Sequence, residues 1–338
     1  MTLIERSELM AAQRRLVTAF ESMRGAYMID RKVNSSNIGV ASIASPCSAR
    51  KGKLPETALQ ARSLPRGTQK VVSETWVRRL TKVRCAELAL ARDLYAGTAF
   101  RRARAAADAV GCPFFVISTG LGLVAGTTLV PAYDLTMSPS AASPLQARLN
   151  GEFAPPLWWA ALQHGPFASP LADLGRHNGR ILVALTQSYA ALIGSALAAL
   201  PVPIRGRLRL LGLGLIQHLP STLRGQAIQY DVRLNVLNPG TCMDAAARAL
   251  AHFTRLIAST PVGSVEDDQQ AVESALANIS RPVAAKRPRV SDETLSEHIV
   301  CLARRGLSAT NALRYLRCEA HMACEERRFR RLYEEALA

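Results

Sequence analysis

The sequence predicts an α/β protein, a mostly parallel sheet flanked by helices, with a small C-terminal helical domain. Three observations carry that expectation. Short apolar, β-branched runs recur at Ile38–Ala44, Phe114–Ser118, Ile181–Leu185 and within Leu208–Leu215, and strands apolar on both faces belong to parallel sheets covered on both sides. Stretches of helical periodicity alternate with them, which calls for crossover connections. The 338 residues are 49% hydrophobic but only 5% aromatic, so the apolar content rests on Ala, Leu and Val, which suit helices packed on a sheet.

Residues 1–36 form an N-terminal helix and loop: Leu9, Met10, Leu16, Val17 and Phe20 stand at helical spacing within Glu5–Met23, and Asn34–Asn37 is loop chemistry. The α/β domain spans 37–257. Its first strand delivers a polar loop, Ser45–Gly52, at its C-terminal end, the edge of an open sheet where ligands bind. After a surface loop over Lys53–Thr68 come a basic helix around Ser73–Arg84 and a second helix over Ala99–Ala109, stopped by Gly111-Cys112-Pro113. The second strand, Phe114–Ser118, exits into a small-residue loop, Ser118–Gly126. Ile181–Leu200 approaches membrane-spanning length, but Thr186, Gln187, Ser188 and Ser195 divide it into a strand and the helix Gln187–Ala199. A helix over Thr241–Ile257 closes the domain, and 258–290, with an acidic patch that could form a short helix and its basic Ala285–Arg289 segment, reads as a linker. Residues 291–338 read as three short helices: Asp292–Arg304, one capped by Ser308 and running to Arg317, and Ala323–Glu335. Helices this short need each other to be stable.

Charge points to the partner. A formal net charge of +16 favours a polyanion, because neutralising phosphates releases their condensed counterions. DNA is the expected partner, with Arg314, Arg317, Arg327 and Arg328 forming a basic face on the C-terminal domain and Arg50, Lys51, Arg101, Arg102 and Arg104 lining the α/β domain. A packing or dimerisation role for the tail is the alternative. Seven scattered cysteines without a Cys-x-x-Cys pair, and no signal peptide, place the chain in the reducing cytoplasm, with no membrane association expected. Cys318, His321 and Cys324 would lie on more than one helix face and lack a fourth ligand, so no metal and no cofactor is expected.

Two Tyr-Asp pairs, Tyr133-Asp134 and Tyr230-Asp231, stand where a strand or loop should end. An aromatic ring beside a carboxylate suits a site that stacks a planar base and holds an anion near an electron-poor carbon. The competing explanation is structural, each Asp capping a turn or pairing with an arginine such as Arg233. Cys47-Ser48-Ala49-Arg50-Lys51 adds a thiol, a hydroxyl and two cations able to contact a phosphate or base edge. Gly120-x-Gly122 with Gly126 lacks the following helix a dinucleotide site needs, and would instead let backbone approach a ligand closely.

Taken together, Cys47–Lys51 after a strand, Ala91–Tyr95 before a helix beginning Phe100-Arg101-Arg102, and Phe115–Val124 followed by Pro131–Leu135 resemble the bacterial domain family related to the peroxide-stress YaaA proteins, over about residues 37–250. The chain departs from the family's pattern at Thr119 and Gly120, where a lysine or alanine and a histidine often stand. The resemblance implies a DNA-binding α/β protein, and relatives in the wider group are associated with deazaguanine modification and removal of modified bases from phage DNA. The expected function is therefore a DNA glycosylase excising a modified base, in antiphage defence. Asp134 and Asp231 are the expected catalytic carboxylates, converging on one basic groove, and Cys47, Ser48, Ser118, Tyr133 and Tyr230 the expected base contacts. A deazaguanine-modifying or base-exchange enzyme and a non-catalytic DNA-binding protein are the alternatives.

Overall fold

The computed structural model describes residues 39–83, 88–137, 145–259, 261–282 and 288–337. The expected N-terminal helix and its loop lie outside the described residues. The chain divides into two compact units, the first ending at Ser280 and the second running from Arg281 to Ala338.

The first unit is built on a six-stranded sheet of order β4-β3-β1-β6-β7-β8. The strands are β1 (Val40–Pro46), β3 (Phe114–Ser118), β4 (Gly122–Ala125), β6 (Arg180–Ala184), β7 (Leu208–Gly212) and β8 (Ala227–Gln229). All run parallel except β4, which pairs antiparallel with β3. A separate antiparallel pair joins β2 (Ala89–Leu90) to β5 (Leu129–Val130). The register sets Ile43 of β1 beside Phe114 on one side and Leu182 on the other. β3, β6 and β7 are buried along their whole length, as strands covered on both faces must be.

From β1 the chain steps to one side, through helix α2 (Thr98–Val110) to β3, then crosses to the other side of β1 for β6, β7 and β8. The parallel strands thus stand in the spatial order 2-1-3-4-5 of doubly wound sheets, and the direction of winding reverses between β1 and β6. Right-handed crossovers wound in opposite directions place their helices on opposite faces. Accordingly α2 packs with helix α5 (Ala245–Leu256), against β1, β6 and β7, while α1 (Gln69–Leu80), α3 (Pro155–Leu162) and α4 (Gln187–Ala198) form a second packed group.

The structure departs from the sequence reading at three places. The exit from β3 is not an open loop: it turns tightly into β4. Helix α3 was not foreseen; Pro155 starts it, and Trp158, Trp159 and Leu162 bury its inner face. The stretch expected to be linker around a short helix instead packs on the sheet, through the 12-residue helix α6 (Val265–Leu276) capped by Ser264. Its Asp268 is buried between Arg180 of β6 and Arg209 of β7, accepting from Arg180 Nε at 2.9 Å and Arg209 Nε at 2.5 Å. Two arginines inside apolar strands are tolerable only with such a counter-charge, and the residue that supplies it, 59 residues beyond Arg209, reads in the sequence as one more surface acid.

The second unit packs three helices, α7 (Asp292–Arg304), α8 (Ala309–Cys318) and α9 (Glu326–Leu337), around Leu295, Ile299, Leu302, Ala312, Leu316, Phe329 and Leu332. Ser291 and Ser308 cap α7 and α8, each accepting from a backbone N–H three residues on. The turn between them is four residues, Arg305–Ser308, and Gly306 occupies it with φ +75°, a conformation that costs a residue with a Cβ. No helix among the described residues is long and apolar enough to cross a membrane.

Candidate active site

The reversal point between β1 and β6 carries a dense cluster of polar side chains. At the end of β1, Cys47 Sγ lies 3.2 Å from the Tyr189 hydroxyl, in the first turn of α4 after β6. From the β3 side, Thr119 Oγ1 comes to 3.8 Å and the Tyr133 hydroxyl to 3.5 Å of the same sulfur. The Tyr133 hydroxyl also meets Ser118 Oγ at 2.7 Å and the Tyr95 hydroxyl at 3.1 Å. Five segments distant in sequence thus place a thiol and five hydroxyls together, at the edge to which the C-terminal ends of neighbouring parallel strands deliver their loops.

Lys51 completes the cluster. Its ammonium lies 4.1 Å from the centre of the Tyr133 ring and 5.7 Å from that of Tyr95, donating to the Ala49 carbonyl at 3.4 Å. It makes no salt bridge among the described residues. Burial pushes the Lys51 amine below its ordinary value, and the nearby Cys47 and Asp134 act in the opposite sense. The Asp134 backbone is held on both sides, its N–H donating to Leu59 and its carbonyl accepting from Ala61; its half-buried carboxyl acts on Lys51 through its charge, without an ion pair at salt-bridge distance among the described residues. Burial raises the Tyr95, Tyr133 and Tyr189 hydroxyls, so all three remain protonated donors.

The tight turn from β3 to β4 explains the glycines. A Cβ at Gly120 would stand 2.6 Å from the Tyr133 ring, so glycine admits that ring, not a ligand. The indole of Trp76 donates to the Gly120 carbonyl at 2.6 Å and that of Trp158 to the Thr119 carbonyl at 2.9 Å, pinning the turn from α1 and α3.

Several expected site residues take other roles. Asp134 and Asp231 do not converge: Asp231 follows β8, three strands beyond β1 and so roughly 14 Å away at about 4.8 Å per strand. Both its carboxylate oxygens accept from Arg233 Nε at 3.0 Å, while the Arg233 backbone N–H donates to Oδ1 at 2.9 Å. Asp231 is thus a turn cap and ion pair, the structural explanation set out above. Tyr230 is buried at the same far edge, its hydroxyl 2.8 Å from His252 Nδ1, and cannot stack on a base bound at β1. Tyr133 is 1% exposed, with Lys51 over its ring, so a base cannot stack on it in this state either. Ser118 is fully buried and accepts from the N–H groups of Gly120 and Leu121, which makes it a turn brace. Ser48 accepts from the Gly97 N–H and donates to the Arg50 carbonyl, tying the β1 loop to the start of α2. Cys47 lies in the cluster at the end of β1, and Lys51, expected as a DNA-binding cation, folds over the Tyr133 and Tyr95 rings instead of standing outward.

The cations divide similarly. Arg50 and Arg101 are exposed, while Arg102 pairs with Asp244 and Arg104 with Asp93. In the second unit Arg317 donates to the Cys324 carbonyl and Arg328 to Asp292 and the Val290 carbonyl, so they hold the helices together; Arg314 and Arg327 are exposed. The basic face is therefore narrower than the arginine count implies. Tyr95, Thr119 and Tyr189 were not among the expected site residues. Tyr189 had one legible signal, its position just after the end of the apolar run Ile181–Leu185.

His252 carries a pH signature away from this site. Burial, with Arg255 adding to it, holds its imidazole below the ordinary histidine value. The unfolded chain then takes up the proton first, so the stability contributed by neutral His252 is complete above about pH 6.5 and declines as pH falls towards the lower folded value. Urea midpoints should drop between about pH 7.5 and about pH 5.5, and drop less in His252→Asn.

The fold and this cluster define an α/β protein with an amine-, thiol- and hydroxyl-bearing site at the winding reversal of a doubly wound sheet. Residues 81–148 match the model of a family of unknown function, DUF6884. That stretch contains Tyr95, Ser118, Thr119, Tyr133 and Asp134, whereas Cys47 and Lys51 precede it and Tyr189 follows. No curated protein and no solved structure matches the chain.

Proposed function

We propose that this protein is a cytoplasmic DNA glycosylase that removes a modified base from DNA, in defence against phage. The observation that carries the reading is the cluster at the winding reversal, with Lys51 over the Tyr133 ring and within reach of the Asp134 charge, together with the exposed Arg50 and Arg101, in a chain of net charge +16. The resemblance to YaaA-related proteins supports it, because the resembling motifs supply Cys47, Lys51, Tyr95, Ser118 and Asp134. The target nucleotide leaves the base stack, since the glycosidic bond is shielded within a duplex. Arg50 and Arg101 hold flanking phosphates; they lie on segments joined by the Ser48–Gly97 hydrogen bond. Asp134 stabilises positive charge developing on the sugar or activates water against its anomeric carbon. The Tyr189 hydroxyl and the Cys47 thiol offer donors to the base edge.

The experiment is mass spectrometry of small molecules released by the full chain from a panel of naturally modified phage DNAs. Base release that Asp134→Asn abolishes, with DNA binding intact, supports the reading; binding without release from any modified DNA rejects it in favour of a non-catalytic binding protein.

The second unit serves as the DNA-docking module in this reading. Two helices joined by a four-residue glycine-containing turn have the form of a helix-turn-helix. The outward side of α8 carries exposed Thr310, Asn311 and Arg314. Arg314→Ala should weaken DNA binding and lower the salt slope of log Kd by about one, the release of one phosphate's counterions, in fluorescence anisotropy across a salt series. An unchanged slope together with unchanged affinity would remove α8 from the interface.

A further inference from the structure

We propose that Lys51 is an amine nucleophile, so that the protein both excises the base and cleaves the strand through a covalent imine at C1′; this rests on the excision reading above. The geometry that assigns the role is unusual for a loop lysine. The side chain folds inward over Tyr133 and Tyr95, its head group meets one backbone carbonyl at 3.4 Å, and no carboxylate pairs with it within salt-bridge distance among the described residues. Two residues on, Lys53 is exposed and reaches the Leu88 carbonyl, the ordinary behaviour of a surface lysine. The two ring faces favour the ammonium, whereas half-burial without a close counter-ion favours the neutral amine, the form that attacks carbon. Burial is the dominant influence on Lys51 and outweighs the cation-favouring charges around it. Asp134, whose charge acts on the amine, is the group assigned to accept protons.

The chemistry balances without an external oxidant or reductant. The Nζ lone pair forms a bond to C1′ as the C1′–N bond to the base breaks; the base leaves with that electron pair and takes a proton, while Nζ gives one up. The C1′–O4′ bond then opens, O4′ takes a proton from solvent, and the nitrogen electrons form the iminium. Asp134 removes a proton from C2′, and the electron pair left there expels the 3′ phosphate by breaking C3′–O3′. Water adds to C1′ and releases Lys51.

The test is reductive trapping. The full chain is incubated with sodium borohydride and either a duplex carrying the modified base or a duplex with a preformed abasic site. A covalent adduct that peptide mapping places on Lys51, lost in Lys51→Ala but kept in Lys53→Ala, is the expected result, with strand scission lost in the same variant. Adduct yield should rise with pH as the amine deprotonates. Circular dichroism and the thermal midpoint of Lys51→Ala establish that loss is chemical; if that variant does not fold, Lys51→Arg serves, since it keeps the positive charge and lacks the nucleophile. Continued base release with no adduct and an unbroken abasic strand overturns the amine role and leaves excision standing. An adduct on Lys51 with the abasic duplex, but no base release from any modified DNA, overturns excision while the amine chemistry stands. An adduct mapped to another residue overturns the assignment.

Discussion

Replacing Asp268 by alanine is expected to cost about 3–5 kcal/mol of folding stability, because it strands two buried guanidiniums. Arg180 and Arg209 are 1% and 3% exposed, and Asp268 is the carboxylate between them. Both arginines also donate to backbone carbonyls, Arg180 to Pro261 and Arg209 to Gly263, so the group ties the loop before α6 as well as α6 itself to the sheet. Removing one member leaves charge without compensation, whereas replacing the whole set with apolar residues of similar size removes the desolvation penalty along with the attraction. Urea unfolding of Asp268→Ala should therefore show a large fall in midpoint, and the triple variant Arg180→Met, Asp268→Leu, Arg209→Met should recover most of it. A loss below about 1 kcal/mol would mean that water reaches the arginines and that α6 contributes little to the first unit.

Asp134→Asn is expected to lower base release by about 10²–10⁴-fold, the range for removing a positioned acid–base group. The amide keeps the size and the backbone bonds to Leu59 and Ala61, so folding and DNA binding should persist. Asp231→Asn is the matched control. Its carboxylate is engaged with Arg233, whose guanidinium also donates to the Leu276 carbonyl, so this change should lower stability and leave release per folded molecule unaltered. Single-turnover rates of the two variants, set against their unfolding midpoints, separate the roles. Equal losses of release would show that the far edge of the sheet takes part in the chemistry.

Much of the scaffold was legible before any coordinates. The run Phe114–Ser118 is a strand with the expected bounds, and the helix expected over Ala99–Ala109 spans Thr98–Val110. Local chemistry suffices there, because an apolar β-branched run and a period of 3.6 residues each have few structural solutions. The Tyr-Asp pairs were different. Their local sequences are alike, yet one lies at the winding reversal beside Lys51 and the other at the outer strand, tied to Arg233 and His252. Arg233, two residues beyond Asp231, offered the structural explanation for that pair, but nothing local placed Tyr133 beneath Lys51.

The sequence by itself determined the α/β class, the buried strands, the helical character of the C-terminal unit and the basic balance, since each follows from periodicity, capping residues or summed charge. Only the tertiary structure decided which of the like-looking residues act together. Strand order sets which loops share an edge, and strand order depends on pairings between segments as far apart as Cys47 and Tyr189, whose contact leaves no trace in either local pattern.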